Sequence, residues 1–402
     1  MEVRFPLILD GATGTQLQKR GFDGSVSAEE WVLTHPEVIT EVQTGYIDAG
    51  SRVVYAPTFG ANGYKMAAEK VPEHNARLTA ISKSAAGSRA FVAGDIAPTG
   101  KFLAPLGEET FEELVAAYTE QAKALERAGV DLFVIETMMT LSDARAAVLA
   151  VKSVSKGKPV FVTFTCDENG RTLTGTDVTA ALVVMQGMGV DAFGLNCSAG
   201  PDQMLRQLKR LKEYACVPLI AKPNAGLPRT VDGKTVYDCP PDAFTAYVRE
   251  MAACGVCIFG GCCGTQVEHI AALTKAVADL DCACPVPART DLLPCATGKD
   301  AFLLPVTAGY SAVLPCDEDL EDALCDSDED EGDMTAIRLE CADELEVFAE
   351  CRGMITKPLC LLCEDAELLE QALRLYQGRA VYEGSLSDAV LMPLVEKYGL
   401  IL

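Results

Sequence analysis

The sequence predicts an α/β fold, a (β/α)8 TIM barrel followed by a small α/β appendage. Eight short apolar segments rich in β-branched and aromatic residues recur through about the first 285 positions. Helical patterns separate them, and residues able to hold charge or metal stand at the ends of several. The segments are PLILD (6–10), SRVVYAPTF (51–59), RAFVAGDI (89–96), DLFVIET (131–137), PVFVTFT (159–165), DAFGLNC (191–197), VPLIAKP (217–223) and GVCIFGG (255–261). Between them, TFEELVAAYTEQAKALERAG (110–129) places apolar residues three and four apart, the period of an amphipathic helix. GPDQMLRQLKRLKEY (200–214) and VEHIAALTKAVADL (267–280) follow the same rule. Strands alternating with helices predict a parallel sheet, and eight such units match a closed barrel. A doubly wound open sheet is the competing arrangement. It has no reason for eight units, nor for chemistry at the first, fourth, sixth, seventh and eighth segment ends together.

The chain has 402 residues and is 49% hydrophobic, enough for one large domain and a small one. Its net charge of -24 argues against nucleic acid and anionic membranes as partners. No apolar run reaches the roughly 18 residues a spanning helix needs, and MEVRFPLILDGATGT lacks a signal-peptide layout. Seventeen cysteines are scattered through apolar segments rather than spaced as a disulfide framework. A reducing, cytoplasmic setting is expected, with most thiols acting as small buried hydrophobes. The sequon NCS (196–198) carries no weight there. Residues 291–402 hold 25 acids and 7 bases, against 33 and 27 in residues 1–290. That shift, with three prolines in CPVPARTDLLP (284–294), sets the expected boundaries: barrel 1–285, linker 286–294, acidic α/β domain 295–402.

A barrel places its active residues where strands end and loops begin. FGGCCGT (259–265) puts Cys262 and Cys263 side by side among glycines. In a regular strand these side chains point to opposite faces. A glycine-rich turn aims both sulfurs at one point, which suits a soft metal, zinc above all. Cys197 closes the sixth segment on the same rim. Taken alone it reads first as a buried core thiol; with the pair it completes a set of three. Three thiolates with one open position describe a catalytic zinc rather than a structural one. CGVC (254–257) has ligand spacing, but Cys257 and Cys262 stand about 17 Å apart along a strand. CLLC (360–363) lies in an apolar strand. Both read as structural, and none of His35, His74 and His269 suits a ligand role. A tris-thiolate zinc is a poor generator of hydroxide but accepts a fourth thiolate, which it binds as an anion near pH 7. Thiol alkylation follows as the reaction class.

LDGATGTQL (9–17) leaves the first segment into a turn whose backbone N–H groups suit a carboxylate. Asp10 and Glu136 end the first and fourth segments and suit an ammonium group; capping or surface roles remain open for either alone. Together these features describe an amino acid with a thiol side chain.

DGATGTQL, PTFGAN (57–62), IETM (135–138), RTLTGTD (171–177), GLNCSAGP (194–201), KPNAGLP (222–228) and GGCCGT (260–265) occur in order. Through them, residues 1–285 resemble the homocysteine-binding barrel of cobalamin-dependent methionine synthase, more than the betaine and S-methylmethionine branches. The resemblance implies zinc held by Cys197, Cys262 and Cys263. It implies Asp10 and Glu136 at the homocysteine amino group, and Gly11, Ala12 and Thr13 near its carboxylate. Asn196 and Asn224 join the substrate site, the Asn224 amide oxygen filling the fourth zinc position when homocysteine is absent. Homocysteine becomes methionine, with methylcobalamin supplied in trans by a separate corrinoid protein as the expected donor. S-methylmethionine or another small donor, and a non-catalytic zinc- and homocysteine-binding subunit, are the alternatives.

No Asp-x-His-x-x-Gly cobalamin signature occurs. Residues 358–402 resemble part of a pterin-binding barrel, but Cys363 and Glu383 stand where that pattern has Asp and Asn, so folate binding is not expected. The acidic stretch 316–334 is expected to be a mobile loop, serving solubility or docking of a partner protein.

Overall fold

The protein is described from a computed structural model that covers residues 4–231, 234–283, 285, 291–327 and 329–402. Eight parallel strands form one sheet: β1 (Leu7–Ile8), β2 (Val53–Tyr55), β3 (Phe91–Ile96), β4 (Leu132–Met138), β5 (Val160–Phe164), β6 (Ala192–Asn196), β7 (Leu219–Lys222) and β10 (Val256–Phe259). A two-stranded hairpin, β8 (Arg229–Val231) and β9 (Lys234–Val236), interrupts the connection from β7 to β10. The sheet order is β1-β10-β7-β6-β5-β4-β3-β2. Its two ends meet: Arg52 N–H donates to the Ile8 carbonyl at 2.8 Å, and Ser51 Oγ donates to that of Leu9 at 2.9 Å. The doubly wound alternative is thereby set aside. Helices Phe111–Ala128, Pro201–Leu211 and Val267–Val277 fall on the predicted segments, the first opened by a Thr110–Glu113 capping box.

Alternate residues of a strand face alternate sides. Val53, Tyr55, Ala93, Leu132, Val134, Ala192 and Ile220 share one buried apolar cluster with Leu7, Leu9, Phe161, Cys257 and Ile258. Continuing each row in steps of two reaches Asp95 on β3, Glu136 on β4, Asn196 on β6 by way of Gly194, and Lys222 on β7. The strand rows therefore end in a polar layer at the C-terminal mouth above apolar layers. At Gly194 a side chain would meet the Ile220 carbonyl at 2.0 Å, so glycine lets β6 approach β7.

By contacts the chain divides into one unit of residues 1–172 and 190–286 and a second of 173–189 and 287–402. In the second, β13 (Val313–Pro315), β14 (Thr335–Leu339), β15 (Leu359–Cys363) and β16 (Val381–Glu383) form a parallel sheet, preceded by the antiparallel pair β11 (Leu292–Ala296) and β12 (Ala301–Pro305). Helix Val178–Gly187, which links β5 to β6 in sequence, groups with this unit. It is entered through Thr176 Oγ1 donating to the Gly298 carbonyl and the Asp177 N–H to that of Lys299. Of the expected linker, 286–290 lie outside the described residues and 292–294 begin β11. The stretch 316–334 is not one loop: helix Leu320–Ser327 forms within it because Leu320 and Leu324 are buried. No described helix is long and apolar enough to cross a membrane.

The connection after β3 is fastened by the buried carboxylate of Asp143. It accepts from Thr99 N–H and Oγ1, both at 3.2 Å, and from the Tyr118 hydroxyl at 2.6 Å. Burial pushes its pKa up to about 6 against these lowering hydrogen bonds. The folded state thus holds a proton that the unfolded chain releases from 3.8 upward. This group's contribution is present below that value and lost as pH rises through about 6. Chemical denaturation of wild type and Asp143→Asn across pH 4 to 7 is expected to differ progressively by up to about 3 kcal/mol, the wild type losing relative stability as pH rises. A pH-independent difference would contradict this account.

Candidate metal centre

The turn after β10 carries two of the three sulfurs. Gly261 N–H donates to the Asp10 carbonyl at 3.0 Å and Cys262 N–H to that of Pro223 at 2.9 Å, so the turn is pinned between the ends of β1 and β7. Thr265 Oγ1 closes it by donating to the Cys262 carbonyl at 2.8 Å. Gly264 has φ +81, and a side chain there would strike the Tyr237 ring at 2.3 Å. Both demands select glycine. Cys197, just past β6, has φ +56, a left-handed conformation uncommon outside glycine. That bend turns its sulfur toward the pair.

The sulfurs of Cys197, Cys262 and Cys263 lie within 4.8 Å of one another, with Cys197 and Cys263 at 3.5 Å. Among the described residues they form the one such group of three or more potential ligands. Their protons are unevenly held. Hydrogen bonds from Cys197 and Cys262, helped by the Tyr237 hydroxyl, pull the Cys263 thiol down to about 3. The bond with Cys262 lowers Cys197, but its bond with Cys263 and its burial outweigh this and push it up to about 12. Hydrogen bonding to Cys197 and Cys263 and burial raise Cys262 as well.

The residues present fit a zinc ion. Three soft donors converge, and Asn224 is hydrogen-bonded to the backbone of one of them. Its Nδ2 donates to the Cys197 carbonyl at 3.2 Å, while its buried Oδ1 has no hydrogen-bond partner. A buried carboxamide oxygen without a partner, on a residue bonded to the Cys197 backbone, leaves a donor available to a cation.

Asp10 and Glu136 share the mouth with two groups that sequence reasoning did not assign to the site, Asp95 and Lys222. The Lys222 ammonium, 3% exposed, lies 3.2 Å from Asp10 Oδ1, 3.8 Å from Glu136 Oε2 and 3.5 Å from the Tyr55 ring centroid. Burial lowers its pKa, but Tyr55, Asp10 and Glu136 outweigh that and hold it cationic. Burial raises Asp10, Asp95 and Glu136 above the usual carboxylate range, Asp95 furthest, with Glu136 adding to the rise. Asp10 is fully engaged, because its second oxygen accepts the Tyr55 N–H at 2.8 Å. Glu136, at 12% exposure, faces the opening. Of the expected carboxylate donors, the Ala12 N–H is spent on Thr265 Oγ1 at 3.0 Å. Gly11 lies against Tyr46, whose ring a side chain there would meet at 2.7 Å. Thr13 precedes the short helix Gly14–Lys19. The inward two-residue count would have found Lys222 and Asp95. Nothing local in the sequence marks Tyr237.

A model of the homocysteine S-methyltransferase family matches residues 7–277. Methionine synthases of Mycobacterium leprae and Mycobacterium tuberculosis are each 34% identical over 68% of this chain. The chain spans about a quarter of their length, 24% and 25%. The metallated form of the homocysteine methyltransferase MmuM from Escherichia coli shares the fold with a TM-score of 0.57 at 24% identity, over 67% of this chain and 95% of that one.

Tyr237→Phe keeps the ring against Gly264 and removes the hydroxyl from Cys263. Loss of such a supporting bond is expected to weaken zinc binding about tenfold with the fold intact, measured by competition with a chromophoric chelator. Gly264→Ala is expected to weaken it more, because the whole ring must move. Unchanged zinc affinity in both variants would remove Tyr237 from the site.

Proposed function

The chain belongs to the homocysteine S-methyltransferase family, and we propose that it methylates the thiol of homocysteine, giving methionine, at a zinc ion held by Cys197, Cys262 and Cys263. The observation that carries this reading is the convergence of three sulfurs from the ends of β6 and β10 next to a buried acidic basin. Zinc, when bound, supplies a soft cation that keeps an incoming thiol ionised near neutral pH. The chain's own residues do the rest. The carboxylate of Glu136 takes the substrate ammonium. Lys222 and Asp10 hold the basin's charge close to balance. With zinc bound, Asn224, whose buried Oδ1 has no hydrogen-bond partner, would serve as a further donor in the absence of substrate. The homocysteine sulfur then attacks a methyl group in line, forming the C–S bond as the donor's methyl bond breaks with its electron pair. No general base is needed beyond the metal.

For the donor we propose methylcobalamin on a corrinoid protein. The motifs PTFGAN and GLNCSAGP, and relatives that are methionine synthases, favour it. Leu227, 49% exposed, lies in the connection after β7 that also carries Asn224, and offers an apolar contact to a macromolecular donor. The described cysteines are all free.

Parallel assays with a methylated corrinoid protein, free methylcobalamin and S-methylmethionine test this. Turnover is expected to be fastest with the corrinoid protein and to fall at least about a hundredfold in Cys263→Ala or after zinc removal. Leu227→Asp is expected to slow only the reaction with the corrinoid protein. Full activity in zinc-free protein would refute the reading.

A further inference from the structure

Among the described residues, two that are not glycine have left-handed backbone, Thr137 (φ +58) and Cys197 (φ +56). They sit at the ends of β4 and β6, strands separated in the sheet by β5. For a β-branched residue such as Thr137 this conformation is a genuine outlier, and it persists only where surrounding contacts hold it. The register between β4 and β5 shifts between Ile135 and Met138, a bulge that turns Glu136 and Thr137 out of the ladder.

One side chain reaches both features. Asn196 is fully buried and immediately precedes Cys197. Its Oδ1 accepts the Thr137 N–H at 3.1 Å. Its Nδ2 donates to Thr137 Oγ1 at 2.7 Å, to Glu136 Oε2 at 3.3 Å and to Cys262 Sγ at 3.8 Å. Only a carboxamide of this length offers one acceptor and two donors in these directions. Aspartate would keep the acceptor and turn lone pairs toward a carboxylate and a sulfur.

We propose that Asn196 is a positioning residue that locks Glu136, the ammonium holder, in register with the sulfur centre, so that amine recognition and thiol binding act on one ligand of fixed length. The assignment rests on the homocysteine reading above and changes the part expected of Asn196 from contact with substrate to alignment of the group that makes it.

The test compares homocysteine with 4-mercaptobutanoate, the same thiol without its amino group. Affinities for zinc-loaded protein are measured by calorimetry in wild type, Asn196→Ala, Glu136→Gln and the double variant. Wild type is expected to prefer homocysteine, and Asn196→Ala to lose at least about tenfold of that preference, the weight of a hydrogen bond to a charged group. The double variant is expected to lose no more than Glu136→Gln alone, because both changes disable one device. Asn196→Asp gives the same comparison in a side chain of unchanged size that retains the Thr137 bond, with the same loss expected. A preference unmoved in Asn196→Ala and Asn196→Asp, or losses that add fully in the double variant, overturns the assignment alone. Wild-type protein that binds neither thiol overturns the functional reading and this assignment with it.

Discussion

The ammonium of Lys222 allows three carboxylates to share the mouth of the barrel. Two like charges about 4 Å apart repel by about 4 kcal/mol at the effective dielectric of such sites. Asp10, Asp95 and Glu136 would otherwise all neutralise themselves by taking up protons. Lys222 lies against Asp10 and Glu136 and offsets their charge, while burial pushes Asp95 toward its neutral form. Gly260 is part of the same arrangement, since a side chain there would meet the Lys222 stem at 3.0 Å. The pairing carries no surplus of stability, because desolvating both partners consumes most of their attraction.

The sulfur half of the site is shaped by backbone rather than by charge. Cys197 turns through left-handed geometry. The GGCCG turn is held by main-chain bonds to β1 and β7 and backed by a tyrosine ring. Strand ends brought together by closure supply positions, but strand geometry alone would send Cys262 and Cys263 apart. The bends at their ends are what converge the donors. The two halves meet at Asn196, whose side chain touches both.

Much of this was legible in the residues. Eight β-rich segments with helical spacers suffice for the barrel, because a parallel strand buried on both faces is continuously apolar. Cys262 and Cys263 announced themselves by their glycines, and Cys197 by ending a segment on the same rim. Lys222 was less visible, because a lysine in VPLIAKP reads first as a surface residue at a strand end. Its inward direction follows only once the two-residue count is run from Ile220. Tyr237 was invisible: it lies just past the hairpin in a long connection, and its approach to Cys263 is a tertiary event. Thr137 gave no sign of its backbone, since nothing in IETM marks a bulge. The acidic stretch 316–334 misled through its composition, which hid the two leucines that seat a helix.

Helix Val178–Gly187 is buried along its apolar run, and its partners include the β11–β12 pair and the C-terminal helix Asp388–Tyr398. Gly399 lies so close to Gly187 that a side chain would meet its backbone at 2.6 Å. A piece of chain from the middle of the barrel sequence is thus woven into the C-terminal unit. Modularity here is threaded rather than serial. A cut at the apparent junction near residue 286 would strip an oily rod of its cover.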